Sequence, residues 1–237
     1  VISVVATVAL HRSLADRTIA TLLACYTNAG NLGIPVAAYA LRDVTWVVPV
    51  LLIQVVVLQP VALAILDWQR ARDQGRRPTV AAALTLPFRN PLTVGVLLGL
   101  GLNLLGRAVP GATPPAFVTY PVELLGNAAI PLMLLAFGVS IRLDPKPAHG
   151  AEAVESWCLV ALKVLVQPVL AFGLATLLHL GPAARYAVTI VACLPAAQNI
   201  FVFATRYDVR LVFARDTIFR GTLVSAGVIL VAAVVLA

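Results

Sequence analysis

Apolar runs of about twenty residues recur along the chain, at roughly 18–40, 45–66, 91–106, 120–141, 157–178, 184–204 and 214–237. A helix of about twenty residues spans the ~30 Å hydrocarbon core of a bilayer. Lipid offers no partner to an unpaired backbone group, so each run is predicted to be a helix. The runs are too long and too evenly apolar to be the alternating ten-residue strands of an outer-membrane barrel. The expected fold class is an all-α, polytopic membrane protein. Composition agrees, with 61% hydrophobic and 11% charged residues, where a soluble domain carries about 25% charged.

An apolar stub at 1–10 is too short to span. It lacks an initiator Met and a basic leader and meets His11 and Arg12 after one stretch, so it reads as the end of a helix that starts upstream rather than as a signal peptide. The chain is therefore expected to be a fragment. Arginines concentrate in the segment 67–90, at Arg70, Arg72, Arg76, Arg77 and Arg89. The positive-inside rule places that segment in the cytoplasm. Threading outward puts Arg12, Arg17, Arg142, Lys146, Arg206, Arg210, Arg215 and Arg220 on the same side, with Arg42, Arg107 and Arg185 opposite. Topology thus accounts for the net charge of +7. Scattered over separate loops, these residues do not read as a nucleic-acid surface, and the expected anionic neighbour is lipid headgroup.

Enzyme signatures are absent: the chain has no HExxH, no GxSxG and no P-loop. Gly99 and Gly101 begin a GxG, but Leu104 stands where a dinucleotide fingerprint needs glycine. Gly95 and Gly99 read instead as a helix-packing pair. Cys25, Cys158 and Cys193 lie in apolar runs without CxxC spacing and read as packing thiols. His11, His149 and His179 are far apart and at loop edges. No metal or cofactor is expected, and the chain is read as a non-enzyme.

Sliding the chain against itself aligns 21–39 with 189–207 without gaps. The alignment pairs Cys25 with Cys193, Asn31 with Asn199 and Tyr39 with Tyr207, and the next helices begin near Arg42-Asp43 and Arg215-Asp216. If these are the fourth and fifth helices of two repeats, each repeat has five, and an odd number inverts the second copy. The expected organisation is 1–66 as the end of helix 3 with helices 4 and 5, 67–90 as a short basic loop, and 91–237 as helices 6 to 10. The two matched helices are also the most broken: Gly30, Gly33 and Pro35 interrupt one, and Pro195, Gln198 and Asn199 the other. A proline removes a donor and frees a carbonyl, and half-helix N-termini at membrane depth suit an anion. The candidate substrate-binding residues are Asn28, Gly30, Asn31, Gly33, Pro35, Pro195, Gln198 and Asn199.

The segments NAGNLGIP (28–35), RNPLTVGVLLGL (89–100), LLGNAAIPLMLLAFGVSI (124–141), LKVLVQPVL (162–170) and LPAAQNIFVFATRYDV (194–209) stand in an order and spacing that resemble the auxin efflux carrier and malate permease family. The resemblance implies ten helices in two inverted halves, with helices four and nine crossing at the substrate site. It also implies a carboxylate contact for Asn28, five residues before Gly33-Ile34-Pro35. Two departures, the short loop at 67–90 and the polar pair Gln198-Asn199, leave the substrate open between auxin-like and malate-like acids.

Lys163 is anomalous in an apolar helix. A lysine at the bilayer centre costs about 2.5–3.5 kcal/mol, which marks a charge partner in the cavity, whereas a stem close to the helix start can also snorkel to the interface. Asn127, one turn beyond the interfacial Glu123, is a second cavity candidate. The resulting expectation is a multi-pass carrier of the cell membrane that moves a small organic anion by alternating access. A coupling proton or sodium ion and a homodimer stay open. The alternatives are a sodium-coupled carrier of the bile-acid or sodium/proton exchanger type and a non-transporting intramembrane receptor or scaffold.

Overall fold

A computed structural model describes residues 12–75, 91–109, 114–143 and 149–236; His11, Arg76, Arg77, Arg89 and Lys146, and the loop expected around them, lie outside the described residues. All regular structure among these residues is helical, as the apolar runs require. In chain order the helices are α1 (Leu14–Cys25), α2 (Ala29–Leu41), α3 (Val44–Asp73), α4 (Pro91–Ala108), α5 (Ala116–Leu143), α6 (Ala151–Leu177), α7 (Pro182–Ala192), α8 (Asn199–Tyr207) and α9 (Leu211–Leu236). Helices α3, α6 and α9 have 30, 27 and 26 residues. At 1.5 Å per residue they are roughly 39–45 Å long, enough to cross a bilayer. Leu52, Val57, Leu165, Val169, Leu223 and Val234 on these helices are exposed, an apolar outer surface suited to lipid. The chain is an all-α membrane protein.

Local chemistry explains the helix ends and irregularities. Ser13 and Asp16 form a capping box at the start of α1, with Ser13 Oγ accepting from the Asp16 amide at 3.0 Å and the Ser13 amide donating back at 3.2 Å. Asp43 caps α3, accepting from the Thr45 amide at 2.9 Å and its hydroxyl at 2.6 Å. Those two donors hold the Asp43 carboxyl below the usual carboxylate range. Within α3 a wide, π-type turn spans Gln54–Leu58, just before Pro60, and α6 has the same device at Leu162–Val166, just before Pro168. A proline cannot donate to the carbonyl four residues back, and a wide turn absorbs that missing bond. Both turns turn a polar side chain inward: Gln54 is 4% exposed and Lys163 2%.

The core is built from α1, the end of α3, α6, α8 and α9, around Ile19, Leu23, Leu63, Leu159, Ile200 and Phe213. A smaller cluster of Ala29, Ala37, Val47, Val191 and Leu194 packs α2 against α7. Helix α5 meets this body through the Phe137 and Phe201 rings, edge to face at 5.3 Å, and through Arg215, whose Nη1 donates to Ser140 O at 3.0 Å. An ion cluster ties the start of α6 to the α8–α9 turn and to Arg12, two residues before α1. Arg210 grips Glu155 with both terminal nitrogens at 2.7 and 2.6 Å, and Arg12 reaches the same carboxylate at 3.4 Å.

Several expectations shift. Helix α3 continues to Asp73, so Asp67 and the arginines 70 and 72 sit on helix rather than in the expected loop. The Arg-Asp dipeptides matched by the repeat play different parts: Arg42 is a left-handed turn residue (φ 54) and Asp43 a cap, whereas Arg215 and Asp216 are a buried ion pair at 2.8 Å inside α9. Cys193 is buried, but Cys25 and Cys158 are exposed, so burial does not explain those two thiols.

Candidate functional site

Both interrupted runs are fully unwound at one point. The first breaks at Tyr26–Asn28, between α1 and α2, and the second at residues 193–198, between α7 and α8. The unwound strands meet as an antiparallel bridge at Thr27 and Ala196. The Asn28 amide donates to Pro195 O at 2.8 Å, and the Ala197 amide to Tyr26 O at 3.0 Å. Each break thus satisfies backbone groups that its own helix has abandoned, which lipid could not do. The first break lies ahead of Gly30, Gly33 and Pro35, because cross-strand bonding rather than proline fixes its position.

A cavity of about 80 Å³ opens beside the crossing. It is lined by Tyr26, Thr27, Asn28, Gly30, Asn31 and Asn199, together with Ala29, Leu51, Gln54, Val55 and Ala197. The first-turn residues of α2 and α8 therefore line it, and helix N-termini carry partial positive charge. The Asn28 side chain makes no cap hydrogen bond; its backbone holds the turn, with its carbonyl accepting from the amides of Leu32 at 3.3 Å and Gly33 at 2.8 Å. Asn31 Nδ2 donates to Gln198 Oε1 at 3.1 Å, linking α2 to the second break. The Tyr26 hydroxyl donates to Gln59 Oε1 at 3.2 Å.

Of the residues singled out in sequence, Asn28, Gly30, Asn31 and Asn199 line the cavity, and Gln198 supports it through Asn31. Pro195 supplies the carbonyl that bonds Asn28. Pro35 is exposed within α2. Gly33 matters by closeness: a Cβ there would stand 3.0 Å from Leu194 Cδ1 and 3.2 Å from Val47 Cγ1. Gly33→Val should therefore push α2 off the crossing and destabilise the protein by about 1–3 kcal/mol, the range for overpacking; thermal unfolding in detergent measures it, and an unchanged melting point would contradict the tight fit. Asn127 is exposed on α5 and does not line the cavity. Lys163 does not snorkel: its ammonium turns inward to Thr27 and to the Cys25 carbonyl at the end of α1. Tyr26, Thr27, Gln54 and Gln59 were missed. Gln54 and Gln59 carried the signal that exposed Lys163, a polar side chain in an apolar run.

Similar proteins give this geometry a context. The family described as "Membrane transport protein" matches residues 1–233. A "Putative malonate transporter" of Rhizobium meliloti (strain 1021) is 28% identical over 229 residues, covering 92% of this chain and 67% of that protein. A "Probable auxin efflux carrier component 1b" of Oryza sativa subsp. japonica is 24% identical over 144 residues, 61% of this chain, and a "component 1d" from the same plant matches equally. The chain spans about a quarter of those plant carriers. A polytopic helical body and a match along nearly its whole length lead to one conclusion: the chain belongs to the membrane transport protein family.

Proposed function

We propose that this protein carries a small organic anion, a carboxylate, across the cell membrane by alternating access, with the anion held at the crossing of α1–α2 and α7–α8. The observation that carries the reading is the cavity at two facing helix breaks, where the first turns of α2 and α8 and the carboxamides of Asn28, Asn31 and Asn199 converge. Carboxamides and backbone amides donate to a carboxylate without adding charge, replacing the water it loses on entry. The antiparallel meeting of the strands at Thr27 and Ala196 supports an inverted pair of repeats. A space of about 80 Å³ suits a carboxylate head group, and a relative named for malonate makes a short dicarboxylate the first probe.

Uptake of radiolabelled malonate, malate and indole-3-acetate into proteoliposomes containing the full-length protein tests this. Accumulation of one of them above protein-free vesicles is expected. Binding without flux would assign an intramembrane receptor instead, and flux that requires sodium would assign a sodium-coupled carrier.

Orientation follows from the arginines, so the end of α3 is proposed to face the cytoplasm. A single cysteine at the exposed Gly75, just beyond α3, should react with an impermeant maleimide only in inside-out vesicles. Reaction in intact cells would reverse the topology.

A further inference from the structure

The crossing has a cation on its far side that the carboxamide site does not use. Lys163 enters from the wide turn of α6 and is 2% exposed, its stem packed among Leu23, Leu159, Val160 and Val164. Its ammonium donates to Thr27 Oγ1 at 2.5 Å and to the Cys25 carbonyl at 3.4 Å. Both partners are neutral oxygens, the second at the electronegative end of α1. The matched position in the other break has no charge: there the Cys193 carbonyl accepts from the Ser225 hydroxyl at 2.7 Å. A hydroxyl would therefore serve as a structural cap for such a carbonyl. A buried ammonium is a costlier choice, and its charge calls for a separate reason.

Thr27 supplies that reason, because it touches the ammonium on one side and lines the cavity on the other. A hydroxyl has one hydrogen and two acceptor lone pairs. With a lone pair engaged by a cation, its hydrogen is repelled away from the ammonium, towards the cavity. Building on the carboxylate reading above, we propose that Lys163 and Thr27 form an anion-selecting pair: Thr27 donates its O–H to the substrate carboxylate, and Lys163 positions that hydroxyl as a donor and balances the incoming negative charge. The carboxamides in the lining can donate or accept and so bind an acid and its neutral isostere alike; the charge on Lys163 then favours the anion over the isostere and repels a cation. Here Thr27 is a substrate contact and Lys163 a positioning residue.

The test is ligand-induced thermal stabilisation of the purified full-length carrier in detergent, with malonate and its neutral isostere malonamide as probes; a ligand that binds only the folded state raises the melting point in proportion to its affinity. Wild type should be stabilised more by malonate than by malonamide. Thr27→Val keeps the shape and β-branching and should weaken malonate about tenfold or more, the scale of a lost hydrogen bond to a charged group. Thr27→Ser should restore the hydroxyl and with it the stabilisation. Lys163→Gln should erase the preference for malonate over malonamide, an outcome that a merely structural brace would not produce. Wild-type malonate affinity in Thr27→Val would overturn the pair while leaving the carboxylate reading standing, and this holds even where Lys163→Gln does not fold. Failure of malonate, malate and indole-3-acetate alike to stabilise wild type would overturn the carboxylate reading and the pair together; where malate or indole-3-acetate stabilises it instead, that acid and its amide replace malonate and malonamide in the same comparison.

Discussion

Replacing Asn28 by alanine in the full-length carrier is expected to weaken substrate binding by about 1–3 kcal/mol, the range for removing a hydrogen bond to a charged group, with expression and melting point near wild type. The division of labour within this residue gives the reason. Its backbone does the structural work, donating to Pro195 O and accepting from Leu32 and Gly33, and alanine keeps all three bonds. Its carboxamide makes no cap bond and lines the cavity. Asn31 should respond differently, because its carboxamide already donates to Gln198 Oε1 at 3.1 Å. Alanine at Asn31 should cost stability as well as affinity, since it leaves the half-buried Gln198 without that donor. Titration of the two variants with the proposed carboxylate, alongside their melting curves, checks the pattern. Equal losses of stability at Asn28 and Asn31 would contradict the assignment.

The largest stability effect is expected at Glu155. Its carboxylate accepts both terminal nitrogens of Arg210, at 2.7 and 2.6 Å, and the two side chains are 13% and 5% exposed. The Arg210 guanidinium also lies 3.5 Å from the centre of the Phe213 ring, which shuts out water on that side. Breaking a buried pair by removing one partner costs about 3–5 kcal/mol, because the remaining charge stays desolvated. Glu155→Ala should fall at the lower end of that range, since Glu152 stands 3.6 Å from Arg210 and can take up part of the charge. Chemical denaturation in detergent is the measure, and a change under about 0.5 kcal/mol, as at an exposed pair, would show that the cluster is not desolvated. The same cluster joins α6 to the α8–α9 turn and, through Arg12, to the approach to α1. Its loss should therefore also loosen the frame around the crossing.

How much of this was legible in sequence depended on how local the cause was. Membrane spans follow from run length alone, and α3, α6 and α9 were readable to within several residues of their ends. The second break was readable in position, with Pro195 and Gln198 inside the unwound residues 193–198, but the first only as a region. Gly30, Gly33 and Pro35 pointed to the middle of the first run, whereas the unwound residues are Tyr26–Asn28, chosen by bonds to Pro195 and Ala197 some 170 residues away. No local propensity carries that information. Gln54 and Lys163 show the complementary case. Both were visible as polar intrusions in apolar runs, but only the wide turns ahead of Pro60 and Pro168 decide which way they face. Asn127 shows the same limit in reverse: it is as conspicuous in sequence as Asn28, and the structure leaves it exposed on α5. The matched Arg-Asp dipeptides are a likeness in letters that the backbone uses for two purposes, a cap and a buried pair.

A cryo-electron microscopy map of the full-length protein at saturating concentration of the carboxylate proposed as its substrate would test the central claim most directly. The account predicts density for a carboxylate between α2 and α8, its oxygens within about 3.2 Å of donors on Asn28, Asn31 or Asn199. Density for the acid elsewhere, such as the apolar groove between α6, α7 and α9 lined by Leu165, Phe172 and Val231, with the crossing unoccupied, would contradict it.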